Sequence, residues 1–155
     1  MKITRAQSIS LDKFYTKASI AKHCLSVFNE TLRKMDIKCP LYLEPSAGAG
    51  IFIDQILEND KNCVGVDISP ERKDIYKANF LNTDITHLLN KKYTVIIGNP
   101  PFGKRSRLAI DFINKSFEYS DIVGFILPIQ FQKWQTQKQI DLNAQLIFNE
   151  ILPHN

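Results

Sequence analysis

The residues of this chain best suited to chemistry are Asn99, Pro100, Pro101 and Phe102, which follow directly on the apolar run Val95-Ile96-Ile97-Gly98. A short apolar run stopped by proline reads as a buried strand, so the asparagine is delivered at a strand's carboxyl end. Proline disfavours the helical region for the residue before it, which holds Asn99 extended through Pro100 and Pro100 extended through Pro101. Neither proline carries an N–H, so the local carbonyls act as acceptors beside the Asn99 side-chain oxygen. Fixed acceptors next to an aromatic face suit a planar ring bearing an amino group. The plainer reading of an Asn-Pro dipeptide is a turn. The full tetrapeptide behind a hydrophobic strand favours a site.

Other stretches end in polar groups in the same way. Leu41-Tyr42-Leu43-Glu44 reads as a short buried strand, followed by the loop Pro45-Ser46-Ala47-Gly48-Ala49-Gly50 and a helix carrying Ile51, Phe52, Ile53, Ile56 and Leu57. Small residues let backbone approach a ligand, and a helix amino terminus offers free N–H groups. The spacing is neither a phosphate loop nor the three-glycine dinucleotide fingerprint, which disfavours a nucleoside triphosphate or nicotinamide cofactor. A second strand over 63–68 ends near Asp67, about 20 residues beyond that loop, where nucleotide-binding folds place a carboxylate for ribose hydroxyls. Ser69-Pro70 is expected to open the next helix. Residues 79–85 read as a third strand ending at Asp84 and Ile85.

The elements that must position these groups follow from periodicity. Ile20, Ala21, Cys24, Leu25, Phe28, Leu32 and Met35 recur at helical spacing, so a long amphipathic helix is expected from Thr16, as N-cap, to about Asp36. A helix over 106–119, a strand over 122–127 stopped by Pro128, a polar loop with a weak helix over 130–143 and a last strand over 145–152 complete the reading. Alternating strands and helices imply a doubly wound, mainly parallel α/β sheet with helices on both faces. Glu44, Asp67, Asp84 and Asn99 would then share one crevice along the carboxyl edge.

Composition sets few further limits. The chain of 155 residues is 44% hydrophobic and 23% charged, as expected for a single globular domain over 1–155. A net charge of +4 is compatible with a polyanion but does not require one. Cys24, Cys39 and Cys63 show no pairing or metal-ligand spacing, and the histidines His23, His87 and His154 share none. No metal site is expected. The amino terminus lacks the apolar core of a secretory signal and no apolar run is long enough to span a membrane, so a cytoplasmic protein is expected.

Taken together, these stretches resemble the class I, S-adenosylmethionine-dependent amino-methyltransferases, and most closely the adenine-N6 DNA methyltransferases. Glu44-Pro45-Ser46-Ala47-Gly48-Ala49-Gly50 resembles their first motif, around the methionine part of the cofactor. Val64-Gly65-Val66-Asp67-Ile68 is similar to the ribose-binding second motif, and Thr83-Asp84-Ile85 to the third, near the cofactor adenine. Asn99-Pro100-Pro101-Phe102 matches the catalytic motif, and Lys13-Phe14-Tyr15-Thr16 resembles the upstream cofactor-binding motif.

The resemblance implies a Rossmann-like fold and transfer of a methyl group to the exocyclic amino group of adenine in DNA, in a restriction-modification or phage setting. Asn99, Pro100, Pro101 and Phe102 would be catalytic. Phe14, Tyr15, Thr16, Glu44, Pro45, Ser46, Ala47, Gly48, Gly50, Asp67, Ile68, Asp84, Ile85 and Asn99 would hold S-adenosylmethionine, and Lys104, Arg105 and Arg107 would touch nucleic acid. Relatives bearing the same tetrapeptide act on RNA bases or a protein glutamine, and a truncated, non-catalytic remnant is a reading from another class. The family's closing strand and a target-recognition domain are not found in the sequence, so a partner subunit or a missing carboxyl-terminal segment is expected to supply recognition.

Overall fold

Successive side chains along the apolar strands of the computed structural model fall on opposite faces of one sheet. The structure describes residues 15–59, 61–89 and 93–153. Chain order gives α1 (Ala18–Lys34), β1 (Leu41–Glu44), α2 (Ile51–Leu57), β2 (Cys63–Asp67), β3 (Tyr76–Lys77), β4 (Thr94–Gly98), α3 (Arg107–Ser116), β5 (Val123–Phe125) and α4 (Trp134–Gln137). The five strands are all parallel in the order β3-β2-β1-β4-β5. This is the strand order of an open Rossmann-like sheet, with the reversal between β1 and β4 at its centre.

Tyr42, Val95 and Ile97 point to the face covered by α1 and α2, where they meet Ala21, Leu25, Phe28, Leu32, Phe52 and Ile56. Leu43, Val66 and Ile96 point the other way and pack with Phe80, Ile85 and Phe112 of α3. A period of two in the strands thus serves both layers. Each fully buried Leu or Phe contributes about 1.5–3 kcal/mol. The seat of α1 is tight: a Cβ on Gly124 of β5 would lie 2.7 Å from the Phe28 ring.

Four expectations need correction. Thr16 does not cap α1: the N-cap is Lys17, with no side-chain cap hydrogen bond. Such a cap is worth about 1 kcal/mol, and the Thr16 hydroxyl is engaged elsewhere. Ser69-Pro70 opens no helix, because Asp67 Oδ1 accepts the Ser69 N–H at 2.7 Å and the chain turns toward the short edge strand β3. Residues 79–85 form turns, not a strand. Asn79 Oδ1 accepts the Leu81 N–H at 3.1 Å and Asp84 Oδ1 the Thr86 N–H at 2.9 Å, side-chain bonds that compete with a ladder. Residues 145–152 form no strand either. Leu146, Ile147, Phe148 and Ile151 are exposed, and Glu150 Oε1 meets His23 Nε2 of α1 at 2.9 Å. An apolar segment makes a strand only where a sheet edge accepts it.

Among the described residues, no helix is long and apolar enough to cross a membrane. Cys24, Cys39 and Cys63 are free thiols. Burial pushes Cys24 up to about 11 and Cys63 higher still, which disfavours the thiolate at both.

Candidate functional site

The loops leaving β1, β2 and β4 converge because their strands are neighbours at the sheet centre, and they enclose a cavity of about 310 Å³. Its walls come from Glu44 and the glycine loop, Asp67 with Ile68, Asn99 with Pro101, Tyr15 with Thr16, and an apolar side formed by Phe80, Leu81, Leu108 and Phe112. A mostly apolar slot with a few convergent polar groups is the general form of a small-molecule site.

The glycine loop is fixed from several directions. Asp67 Oδ2 accepts the Gly48 N–H at 2.8 Å while its Oδ1 holds Ser69, so one buried carboxylate ties the loops after β1 and β2 together. Ala47 N–H donates to Val66 O at 3.0 Å, and Ser46 Oγ donates to Asn99 O at 3.3 Å, which adds the β4 end to the same network. Gly48 and Gly50 both adopt positive φ, at 51° and 81°. A Cβ on Gly48 would meet nothing within 4 Å, whereas one on Gly50 would lie 2.5 Å from Arg72 Nη1. Gly48 therefore keeps open space in the cavity wall, and Gly50 makes room for the Arg72 guanidinium, which bonds Asp54 at 2.5 Å and Asp74 at 2.6 Å.

Glu44 ends β1 with its carboxyl buried, and its Oε2 has no hydrogen-bond partner. Burial holds its pKa well above the usual carboxylate range; the nearby Asp67 and Asp54 add to the rise, against a backbone hydrogen bond at Ile53 and the charge of Arg72. At the end of β4 the Asn99 Nδ2 donates to Thr16 Oγ1 at 3.1 Å. Tyr15 donates its hydroxyl to Glu71 Oε1 at 2.9 Å, on the loop after β2.

The structure thus brings together Tyr15, Thr16, Glu44, Pro45, Ser46, Ala47, Gly48, Asp67, Ile68, Asn99 and Pro101 at one cavity. Pro100 is fully buried behind that wall, and Gly50 sits at the amino terminus of α2. Phe14 lies outside the described residues. Three expected members are elsewhere. Asp84 is exposed at the turn 84–86, where the Thr86 hydroxyl and N–H hold its carboxyl below the usual range. Ile85 is fully buried in the core beneath α3. Phe102 packs against the cluster of Ala109, Ile110, Ile113 and Phe131 and does not line the cavity.

Sequence reasoning missed Asn79, Phe80 and Leu81, which take the place at the cavity expected for Asp84 and Ile85. The signal was present in Asn79 and Asn82, two turn-forming residues inside a supposed strand. Lys104, Arg105 and Arg107 line a separate shallow depression with Gln139 beside the start of α3. Gly103, Arg105 and Ser106 there all have positive φ, between 54° and 66°, in a loop pinned by the Gln130 side chain on Ser106 Oγ. Among the described residues, no cluster of His, Cys, Asp and Glu could hold a metal ion.

The chain matches no protein-family model, no curated protein and no solved structure.

Proposed function

We propose that the chain binds S-adenosylmethionine in this cavity and methylates the exocyclic amino group of adenine in DNA. The observation that carries the reading is the placement of Asn99, with Pro101, on the wall that also holds Gly48 and Asp67. A nucleoside site and an amide suited to grip an amino group then face the same space. Two features fit the cofactor. Gly48 leaves open room where a side chain would intrude, and Glu44 offers a buried carboxyl oxygen with no partner to a ligand that carries positive charge.

In this reading Asp67 and Ile68 hold the ribose, the segment 45–48 and Glu44 the methionine part, and Phe80 with Leu81 the planar base. When bound, S-adenosylmethionine supplies an electrophilic methyl group on a sulfonium. The task left to the chain is to make the adenine nitrogen nucleophilic, since its lone pair is delocalised into the ring. Asn99 Oδ1, with the backbone carbonyls beside it, accepts the amino hydrogens and favours a pyramidal nitrogen, which is stabilisation by preorganised dipoles. The stiff Asn-Pro-Pro backbone and its tie to Ser46 keep those acceptors in place. Phe102, seated on α3, anchors the loop. Lys104, Arg105 and Arg107 are assigned to phosphates, which position a duplex without reading it. A DNA substrate places the chain in the cytoplasm.

Transfer of tritium from methyl-labelled S-adenosylmethionine to duplex DNA, RNA and protein tests the proposal. Label is expected in DNA as N6-methyladenine, and Asn99→Ala is expected to lower transfer about 10²–10³-fold while cofactor affinity stays within a few-fold. Label in RNA or on glutamine would reassign the substrate. Cofactor binding without transfer to any acceptor would leave a binding module, and the methyltransferase reading would fall.

A further inference from the structure

We propose that Thr16 is a positioning residue for Asn99, and that Tyr15 and Thr16 form a strap across the cavity that holds the asparagine amide in place. The inference rests on the proposed function for its catalytic consequence but on geometry alone for the contact.

Consecutive residues reach opposite sides of the crevice. Tyr15 is bound to Glu71, beyond β2, and Thr16 to Asn99, at the end of β4; both also line the cavity. The strap is not a loose tail, because the Lys17 carbonyl accepts the first helical hydrogen bonds of α1, from Ile20 and Ala21, each at 3.0 Å. The helix α1 is in turn seated through Ala21, Leu25, Phe28 and Leu32 on a cluster that includes Val95 and Ile97 of β4. Both partners of the Thr16–Asn99 bond are therefore rooted in one packed unit, and their separation is fixed by the core.

An asparagine amide has two faces of nearly equal shape, one that donates and one that accepts, and only a neighbour can distinguish them. The Thr16 hydroxyl oxygen takes the Nδ2 hydrogen at 3.1 Å and holds the amide in the flip that leaves Oδ1 on the other side. An acceptor role for Asn99 toward an amino group requires that flip. Thr16, expected as the N-cap, lies one residue before the actual N-cap Lys17. Its hydroxyl bonds the asparagine.

The test compares the full chain with Thr16→Ser, which keeps the hydroxyl, and Thr16→Val, which keeps the shape. The first readout is independent of activity: exchange protection of the Asn99 side-chain amide hydrogens by ¹⁵N NMR, assigned by their loss in Asn99→Asp. Protection is expected in wild type and Thr16→Ser and is expected to fall in Thr16→Val. Equal protection in all three would overturn the proposal. The second readout splits binding from turnover. Thr16→Val should lower kcat about tenfold, the worth of one hydrogen bond, with S-adenosylmethionine affinity within threefold and Thr16→Ser restoring the rate. A fall in affinity alone, with kcat unchanged, would make Thr16 a cofactor contact only and defeat the proposal. If the wild-type chain methylates no acceptor, the functional reading fails, and the amide NMR decides the contact by itself.

Discussion

The ends of β1 and β2 each deliver a buried carboxylate to the same cavity and treat it in opposite ways. Asp67 has both oxygens occupied by backbone N–H groups, from Gly48 and Ser69. Glu44, one strand away, has an oxygen with no hydrogen-bond partner and a carboxyl whose charged form burial disfavours. Buried polar groups are normally paired, so an exception calls for a reason. The difference is one of task. Asp67 builds the site by joining two loops and retains acceptor capacity for a ligand hydroxyl, since a carboxylate has about four lone-pair directions. Glu44 has a backbone hydrogen bond at Ile53 but leaves its Oε2 unpaired, and the cost of that oxygen is recovered only when something enters the cavity.

The strongest way to break this contrast is to remove the builder. Asp67→Ala removes the carboxylate that accepts the part-buried Gly48 and Ser69 N–H groups; a hydrogen bond to a charged group is worth about 1.5–3 kcal/mol, less where water can replace it. A loss of roughly 2–5 kcal/mol by urea unfolding is expected, with S-adenosylmethionine binding lost by calorimetry. A variant of wild-type stability that merely binds more weakly would mean that Asp67 serves the ligand and not the loop.

The two glycines between the carboxylates sharpen the same distinction. Gly50→Ala forces a Cβ to within 2.5 Å of Arg72 Nη1 at a φ of 81°. Arg72 is held by Asp54 and Asp74, so it cannot yield without breaking those pairs. A stability loss of about 1–3 kcal/mol is expected. Gly48→Ala carries the left-handed backbone strain, about 1–2 kcal/mol, but its methyl enters open cavity. Thermal melts with and without S-adenosylmethionine separate them: Gly50→Ala should melt lower and still be stabilised by ligand, and Gly48→Ala should lose most of the ligand's stabilising effect.

What could be read from the sequence tracks what is buried. The strands β1, β2 and β4 are continuous apolar runs that end at Glu44, Asp67 and Gly98–Asn99, and their hydrophobicity gave both their position and the crevice they share. Between Ser69 and Ile85 the outcome depends on side-chain bonds from Asp67, Asn79 and Asp84 to nearby N–H groups, which no periodicity reports. The edge strand β3 is two residues, both exposed, and leaves no pattern. The apolar residues over 145–152 went unanswered, because pairing is a property of the neighbouring strand. Thr16 was legible as a polar residue before a helix, yet its partner lies 83 positions away.

The smallest effect concerns Glu44 and is visible only against pH. Its raised pKa means that the folded chain keeps a proton where the unfolded chain has released it, so the group's contribution to stability is complete below the ordinary carboxylate value, about 4.3, and is lost as pH rises through the raised one. Wild-type stability should therefore decline with rising pH across a window that opens near 4.3, relative to Glu44→Gln, which has no proton to release. The groups that bear on Glu44 are Asp67, Asp54, Arg72 and Cys63, and all four are retained in the variant. The difference between the two curves of urea midpoint against pH isolates Glu44. A difference that stays constant with pH would mean that the carboxyl titrates alike in folded and unfolded chains; the contrast with Asp67 would then collapse. Saturating S-adenosylmethionine extends the test. A positively charged ligand beside Glu44 favours the carboxylate, so the pH-dependent difference should shrink when ligand is bound, and a difference unchanged by ligand would place the ligand's charge away from Glu44.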